Sequence, residues 1–366
     1  MTCDVWADWT TACHKLRNPW KALDPPLQAI PSKTERLRVV HFQRKAMPGN
    51  VSIERLFADI RNAFPGQIEC FPHVCPFFSK GILPRIGNIL DAARNQAQIN
   101  HITGDVHYLA LLLDKRRTLL TIHDCASLER LRGLRRAVFK FFWFTLPMRR
   151  ARFITVISES TRRELLRHIQ FNPANIRVVH DCAGSNFVPF PKPFNAEEPN
   201  VLHLGTASNK NLERLIQSLS RLPCRLSIIG KLTAAQQILL RRCNIKYSNI
   251  PHATDLEVLN SFRSCDLLAF ASTCEGFGLP IIEAQATGRP VITSNISSMP
   301  EAAGGAACFI DPFNVESIRG GILHVWRDAD YRQRLLNAGF ENVKRFSPEI
   351  IAAKYAALYA ELAASE

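Results

Sequence analysis

The feature that most constrains this chain is a β-then-α alternation that runs twice. From Arg36 onward, apolar runs of five to seven residues alternate with amphipathic stretches. The runs 37–42 (LRVVHF), 99–103, 118–123 (TLLTIH), 153–157 (FITVI) and 176–180 (IRVVH) predict strands, and 52–63, 81–97, 131–147 and 159–169 predict helices. Apolar runs of this kind suit parallel strands covered on both faces. The segment 183–199 (AGSNFVPFPKPFNAEEP), with four prolines, breaks both periods and reads as a linker. The alternation then restarts, with strands expected at 200–205, 225–230, 245–248, 266–272, 290–294 and 307–310. Helices are expected at 211–221, 233–243, 255–264, 280–287, 314–327, 330–345 and 347–364. Thr254 and Glu257 have capping-box spacing at one helix start. Two such halves predict an α/β protein of two tandem Rossmann-like, doubly wound domains facing a central cleft. The expected division is an extension over 1–36, a first domain over 37–185, a linker over 186–199, a second domain over 200–345 and a C-terminal helix over 346–366 that packs back on the first domain.

Charge divides along the same boundary. The 366 residues carry a net +14, and residues 1–190 hold 28 basic and 15 acidic side chains against 18 and 17 in the remainder. With 46% hydrophobic residues there is apolar material for two cores, which excludes disordered, collagen-like and coiled-coil classes. Charge-free apolar stretches reach only about a dozen residues, short of a spanning helix. Asp4 and Asp8 fall where a secretory leader would be basic. The expected location is therefore the cytoplasm. Eleven cysteines without a CxxC pair predict reduced, mostly buried thiols and no zinc site.

The stretch 266–294 (DLLAFASTCEGFGLPIIEAQATGRPVITS) carries the most chemistry. A buried strand runs into Glu275-Gly276-Phe277-Gly278-Leu279, and Pro280 marks a helix start, with Leu279 offering no side-chain cap. Uncapped amides and the positive dipole end make such a turn an anion site. Glu283, one turn into the helix, is placed to accept two hydroxyls of a ribose. Gly288 is the expected helix terminator.

Glu275 and Glu283, seven residues apart around two glycines, resemble the Glu-x7-Glu signature of retaining glycosyltransferases of the two-Rossmann (GT-B) architecture, specifically glycosyltransferase family 4. Residues 202–216 (LHLGTASNKNLERLI), 150–182 (RARFITVISESTRRELLRHIQFNPANIRVVHDC) and His123-Asp124 are similar to further stretches of that family. The resemblance implies transfer of a sugar from a nucleotide-diphosphate sugar to a glycan or lipid-linked acceptor hydroxyl, with retention. It implies that Lys210 neutralises the diphosphate leaving group, that Glu275 holds hydroxyls of the donor sugar, and that His123 lies near the transferred sugar. Gly205, Thr206 and the amides of Phe277, Gly278 and Leu279 would complete the donor site, with Glu283 on the ribose. Many members carry an arginine directly after the first glycine of the loop. Here Thr206 follows Gly205, with Lys231 a candidate helper. The loop after the first strand, 41–50 (HFQRKAMPGN), has one glycine, and Arg44, Lys45 and Gly49 are candidate acceptor contacts. No DxD-like carboxylate pair falls in a suitable loop, so no metal or other cofactor is expected.

Residues 130–152 (RLRGLRRAVFKFFWFTLPMRRAR) hold eight Arg/Lys and no acid, interleaved with five aromatics. An interfacial element would place the aromatics Phe139, Phe141, Phe142, Trp143 and Phe144 at the headgroup boundary and Arg135, Arg136 and Lys140 against anionic lipid. An ordinary helix would bury the aromatics instead. Two competing functions are a nucleotide-sugar epimerase of the same architecture and a basic nucleic-acid-binding protein. No RNP-like, helix-turn-helix or zinc-finger pattern accompanies the charge, so nucleic acid is not an expected partner.

Overall fold

The computed structural model describes residues 36–45, 52–126, 128 and 131–364. Apart from Arg36, the expected extension lies outside the described residues, as does Gly49. Among the described residues, twelve strands form two six-stranded sheets in which every pairing is parallel. The first contains β1 Leu37–Gln43, β2 Ile68–Val74, β3 Ile99–Ile102, β4 Thr118–Ile122, β5 Phe153–Val156 and β6 Ile176–Val178, in the order β2-β1-β3-β4-β5-β6. The second contains β7 Asn200–Leu204, β8 Arg225–Ile229, β9 Lys246–Ile250, β10 Leu267–Phe270, β11 Val291–Ser294 and β12 Cys308–Ile310, in the order β12-β11-β10-β7-β8-β9. Strand order reverses between β1 and β3 in one sheet and between β7 and β10 in the other. Open α/β sheets bind ligands beyond the carboxyl ends of strands at such points.

Period-two geometry explains the continuous apolar runs, since alternate residues enter different cores. Val39, Leu119 and Phe153 pack under the helix Pro348–Ala363, whereas Val40, Leu120 and Ile154 pack on the opposite face. That last helix thus returns from the second domain to cover the first sheet, burying Ile351, Tyr355, Tyr359 and Leu362. Each fully buried aliphatic side chain contributes about 1.5–3 kcal/mol. The Tyr359 hydroxyl lies 2.8 Å from His41 Nε2 and 2.7 Å from His101 Nδ1 in the same buried layer.

Several elements differ from expectation. Strand β2 was not anticipated: it is an edge strand interrupted by Pro72 and half exposed, which removes the apolar signature. The five-residue helix Met299–Ala303 was also missed. The helix expected over 131–147 is instead Gly133–Lys140, a π turn at Phe141–Thr145, and Leu146–Arg149. The Thr254–Glu257 capping box is present, and Gly288 ends its helix at φ 76°. Of the nine cysteines among the described residues, six are buried.

Candidate active site

The loop after β7 and the loop after β10 meet at the reversal point of the second sheet. Lys210 ends a short 3-10 turn, Ser208–Lys210, and its Nζ donates to Glu275 Oε1 at 2.7 Å while lying 5.1 Å over the Phe270 ring. Both side chains are mostly buried, which limits solvent screening of the pair. Gly205 is required by this packing: it has φ 89°, and a Cβ there would lie 2.8 Å from Lys210 Cγ. Asn209 Nδ2 donates to the Cys274 carbonyl (3.0 Å), and the Asn209 carbonyl accepts from Thr273 N (2.8 Å), tying the two loops together. Thr206 commits its hydroxyl to the Lys231 carbonyl at 2.7 Å, bringing Lys231 beside the glycine loop.

The helix Leu279–Thr287 begins one residue earlier than expected. Gly278 is its N-cap, at φ 115° and with no side-chain cap, so Pro280 stands second rather than first. Among the described residues, the amides of Phe277, Gly278 and Leu279 donate no hydrogen bond, leaving an anion-receptive helix start. Ser297 and Ser298 Oγ donate to the Glu275 carbonyl (3.1 and 2.9 Å) and hold the loop from below. Glu283 is 8% exposed, and burial pushes its carboxyl up to about 7, with Arg55 opposing and Asp255 reinforcing the shift. No ion pair or hydrogen bond among the described residues joins Glu283 to Lys210 or Glu275. Its charged neighbours are instead Arg55, from the first domain, and Asp255, which form an ion pair across the cleft.

The first domain contributes the opposite wall. His123, just beyond β4, donates from Nε2 to the Thr103 carbonyl at 2.9 Å, which fixes the orientation of the ring. Its own carbonyl abuts Gly276: a Cβ on Gly276 would lie 2.4 Å from it. The Gly276 carbonyl in turn accepts from Ser158 Oγ (2.6 Å) and Thr161 Oγ1 (3.0 Å) at the start of the helix Glu159–His168. Glu301 accepts from Glu159 N (3.0 Å) and from His180 Nε2 (2.7 Å). Burial raises its carboxyl, but these bonds hold it below the ordinary value. The loop bearing Glu275 is thus clasped by both domains. Gly276, Asn209, Ser158 and His180 lie within the quoted stretches, whereas Ser297, Ser298 and Glu301 have no local signal in the sequence.

The acceptor-side candidates scatter. Arg44 is engaged by Glu54 (2.8 Å) and Asp105 (3.1 Å), while Lys45 donates to the Pro76 carbonyl (3.2 Å) over the Phe78 ring. Arg135 is exposed, Arg136 lies 3.1 Å from His168 Nδ1, and Lys140 is half-buried. Trp143 does not reach outward as the interfacial reading required. It stacks on Phe139 (5.5 Å) beneath Arg85 (4.9 Å), and Phe144 is buried, because the π turn shifts the helix phase between Phe142 and Phe144. Only Phe141 and Phe142 of the five aromatics are exposed. Among the described residues, no three His, Cys, Asp or Glu side chains are grouped to hold a metal ion.

Two parallel six-stranded sheets facing one another across an anion-receptive loop define a protein of the GT-B class. Residues 61–182 match the family model described as glycosyltransferase family 4, and residues 185–342 match that of glycosyl transferases group 1. The chain belongs to this family of glycosyltransferases. It is 28% identical over 222 residues to the O-antigen chain mannosyltransferase B of Escherichia coli, covering 54% of this chain and 58% of that protein. It is 26% identical over 234 residues to the serotype-specific mannosyltransferase WbdA of Escherichia coli, covering 56% of this chain and 28% of that protein. The chain therefore spans less than two thirds of the length of these curated relatives. Sucrose-phosphate synthase from Thermosynechococcus elongatus shares the fold, with a TM-score of 0.72 at 17% identity over 90% of this chain and 100% of that one.

Proposed function

We propose that the protein is a retaining hexosyltransferase that moves a sugar from a nucleotide-diphosphate donor to a hydroxyl of a glycan or lipid-linked acceptor, in synthesis of a cell-surface polysaccharide or glycolipid. The observation that carries this reading is the Lys210–Glu275 pair at 2.7 Å beside the uncapped start of Leu279–Thr287. In the reaction, the bond between the anomeric carbon and the diphosphate oxygen breaks as the acceptor oxygen bonds to that carbon, and the hydroxyl proton passes to the departing phosphate. Lys210 and the Phe277, Gly278 and Leu279 amides stabilise the growing phosphate charge. Glu275, freed when the diphosphate takes up Lys210, holds hydroxyls of the sugar, His123 lines the far side of that sugar, and Glu283 binds the ribose. These groups supply the charge that a divalent cation would otherwise bring, so transfer is metal-independent. The two mannosyltransferase relatives make mannose the first sugar to test. The basic segment 130–152 provides peripheral contact with anionic membrane at the cytoplasmic face.

A thermal-shift panel of UDP-, GDP- and ADP-sugars selects the donor, and turnover follows with that donor. Lys210→Ala and Glu275→Ala should each lower kcat by about 10²–10³ with the fold intact. Activity within a few-fold of wild type overturns the assignment. Transfer should persist in EDTA, and donor isomerisation without an acceptor would point to an epimerase.

A further inference from the structure

Two neighbouring helices of the first domain turn apolar side chains outward. On Ile82–Arg94, Ile82 (75% exposed), Leu83 (81%), Ile86 and Leu90 share one face while Asn88 and Ala92 are buried on the other. Phe77 and Phe78, about half exposed, extend this surface ahead of the helix. On Gly133–Lys140 and its π turn, Leu134 (79%), Val138, Phe141 and Phe142 form a second stripe. Both helices cover the same face of the first sheet, since Ile89, Ala92, Phe139, Trp143 and Phe144 join one core. They meet at Tyr108, whose hydroxyl accepts from Asn88 Nδ2 (3.0 Å) and whose ring lies 5.2 Å from Trp143.

The charge along the two helices is predominantly basic. Lys80, Arg94, Arg132, Arg135, Arg149 and Arg150 are exposed. The one acid within 80–94 and 131–150 is Asp91, which His73 occupies at 2.6 Å. Apolar stripes rimmed by cations fit the acyl boundary of an anionic bilayer, whereas a second copy would bring cation against cation.

We propose that the two helices together form a docking face for an anionic bilayer, with Phe77, Phe78, Ile82 and Leu83 entering the acyl boundary beside Phe141 and Phe142. This rests on the peripheral-membrane reading of 130–152 and extends it to the helix expected over 81–97, to which the sequence reading gave no interfacial role. The face reaches Lys45, an acceptor-side candidate beyond the end of β1, which lies 5.0 Å over the Phe78 ring. A membrane-borne acceptor therefore enters the cleft along the bilayer surface.

The test is flotation of the full chain with phosphatidylglycerol-containing vesicles and with pure phosphatidylcholine vesicles. Wild type should float with the anionic vesicles alone, and the double substitution Ile82→Asp/Leu83→Asp should lower binding about tenfold or more. Its circular dichroism and donor-induced thermal shift should be unchanged. Arg132→Glu/Arg135→Glu should also release the protein. If only the arginine variant loses binding, the two-helix face is wrong and the one-helix reading survives. If wild type does not float, both fall. A wild-type dimer that Ile82→Asp/Leu83→Asp splits, without flotation, assigns the face to a second copy and overturns the proposal.

Discussion

Glu283 holds a carboxylate where its charge is disfavoured. Burial raises its pKa from 4.5 to about 7, against the pull of Arg55. Between these values the folded chain binds a proton that the unfolded chain lacks, so stability falls as pH rises through this window. Above pH 7 the penalty is fully present, on the order of 3 kcal/mol. Glu283→Gln should therefore raise the unfolding temperature at pH 8 and change it little at pH 4.5. An equal gain at both values would show that charge burial is not the cause. In the proposed function the ionised carboxylate accepts ribose hydroxyls, so wild-type donor affinity should climb from pH 6 to 8. The glutamine variant should bind the donor about tenfold or more weakly and lose that pH dependence.

At the scale of elements, the loop between β10 and the helix Leu279–Thr287 is shaped by contacts from both domains. Gly276 is needed for close approach, since a Cβ would stand 2.4 Å from the His123 carbonyl and 3.1 Å from Ile157 Cδ1. Gly276→Ala should force the two walls apart by a fraction of an ångström to about one, and misplacement of that size costs up to about 10²-fold in rate. Because the donor loop itself remains built, kcat should fall far more than donor affinity. A parallel loss of affinity would mean that the loop, not the approach of the domains, had been damaged. The alternation of apolar runs made eleven of the twelve strands legible in the sequence, and the two-glycine turn marked the donor loop. What escaped lacked periodic burial: β2 is an edge strand with a mid-strand proline, and Met299–Ala303 is too short to show a helical period. The π turn escaped because a run of four aromatics reads the same in either phase, and only packing sends Phe144 inward. Likewise the Glu301–His180 clasp joins residues 121 positions apart, a relation that spacing rules do not reach.

Across the whole molecule, the last described helix fastens the first sheet. The 16-residue helix Pro348–Ala363 leaves the second domain and buries Tyr355 and Tyr359 against the first sheet. The Tyr359 hydroxyl bridges His41 and His101, and His101 continues through Thr121 to Thr155 at 2.7 and 2.6 Å, a polar line across β1, β3, β4 and β5. Burial keeps both imidazoles below their ordinary pKa, so each is neutral and depends on a hydrogen-bond partner rather than on charge. Tyr359→Phe keeps the ring packing and strips that partner from two buried nitrogens, at about 1–3 kcal/mol each. Because this helix couples the two halves, wild type should unfold in one calorimetric transition. The variant should unfold in two, the lower one belonging to the first domain and the upper one alone moving when donor is added. A single transition at the wild-type temperature would show that the helix does not couple the domains. Two transitions already in the wild type would show that the domains stand independently of it.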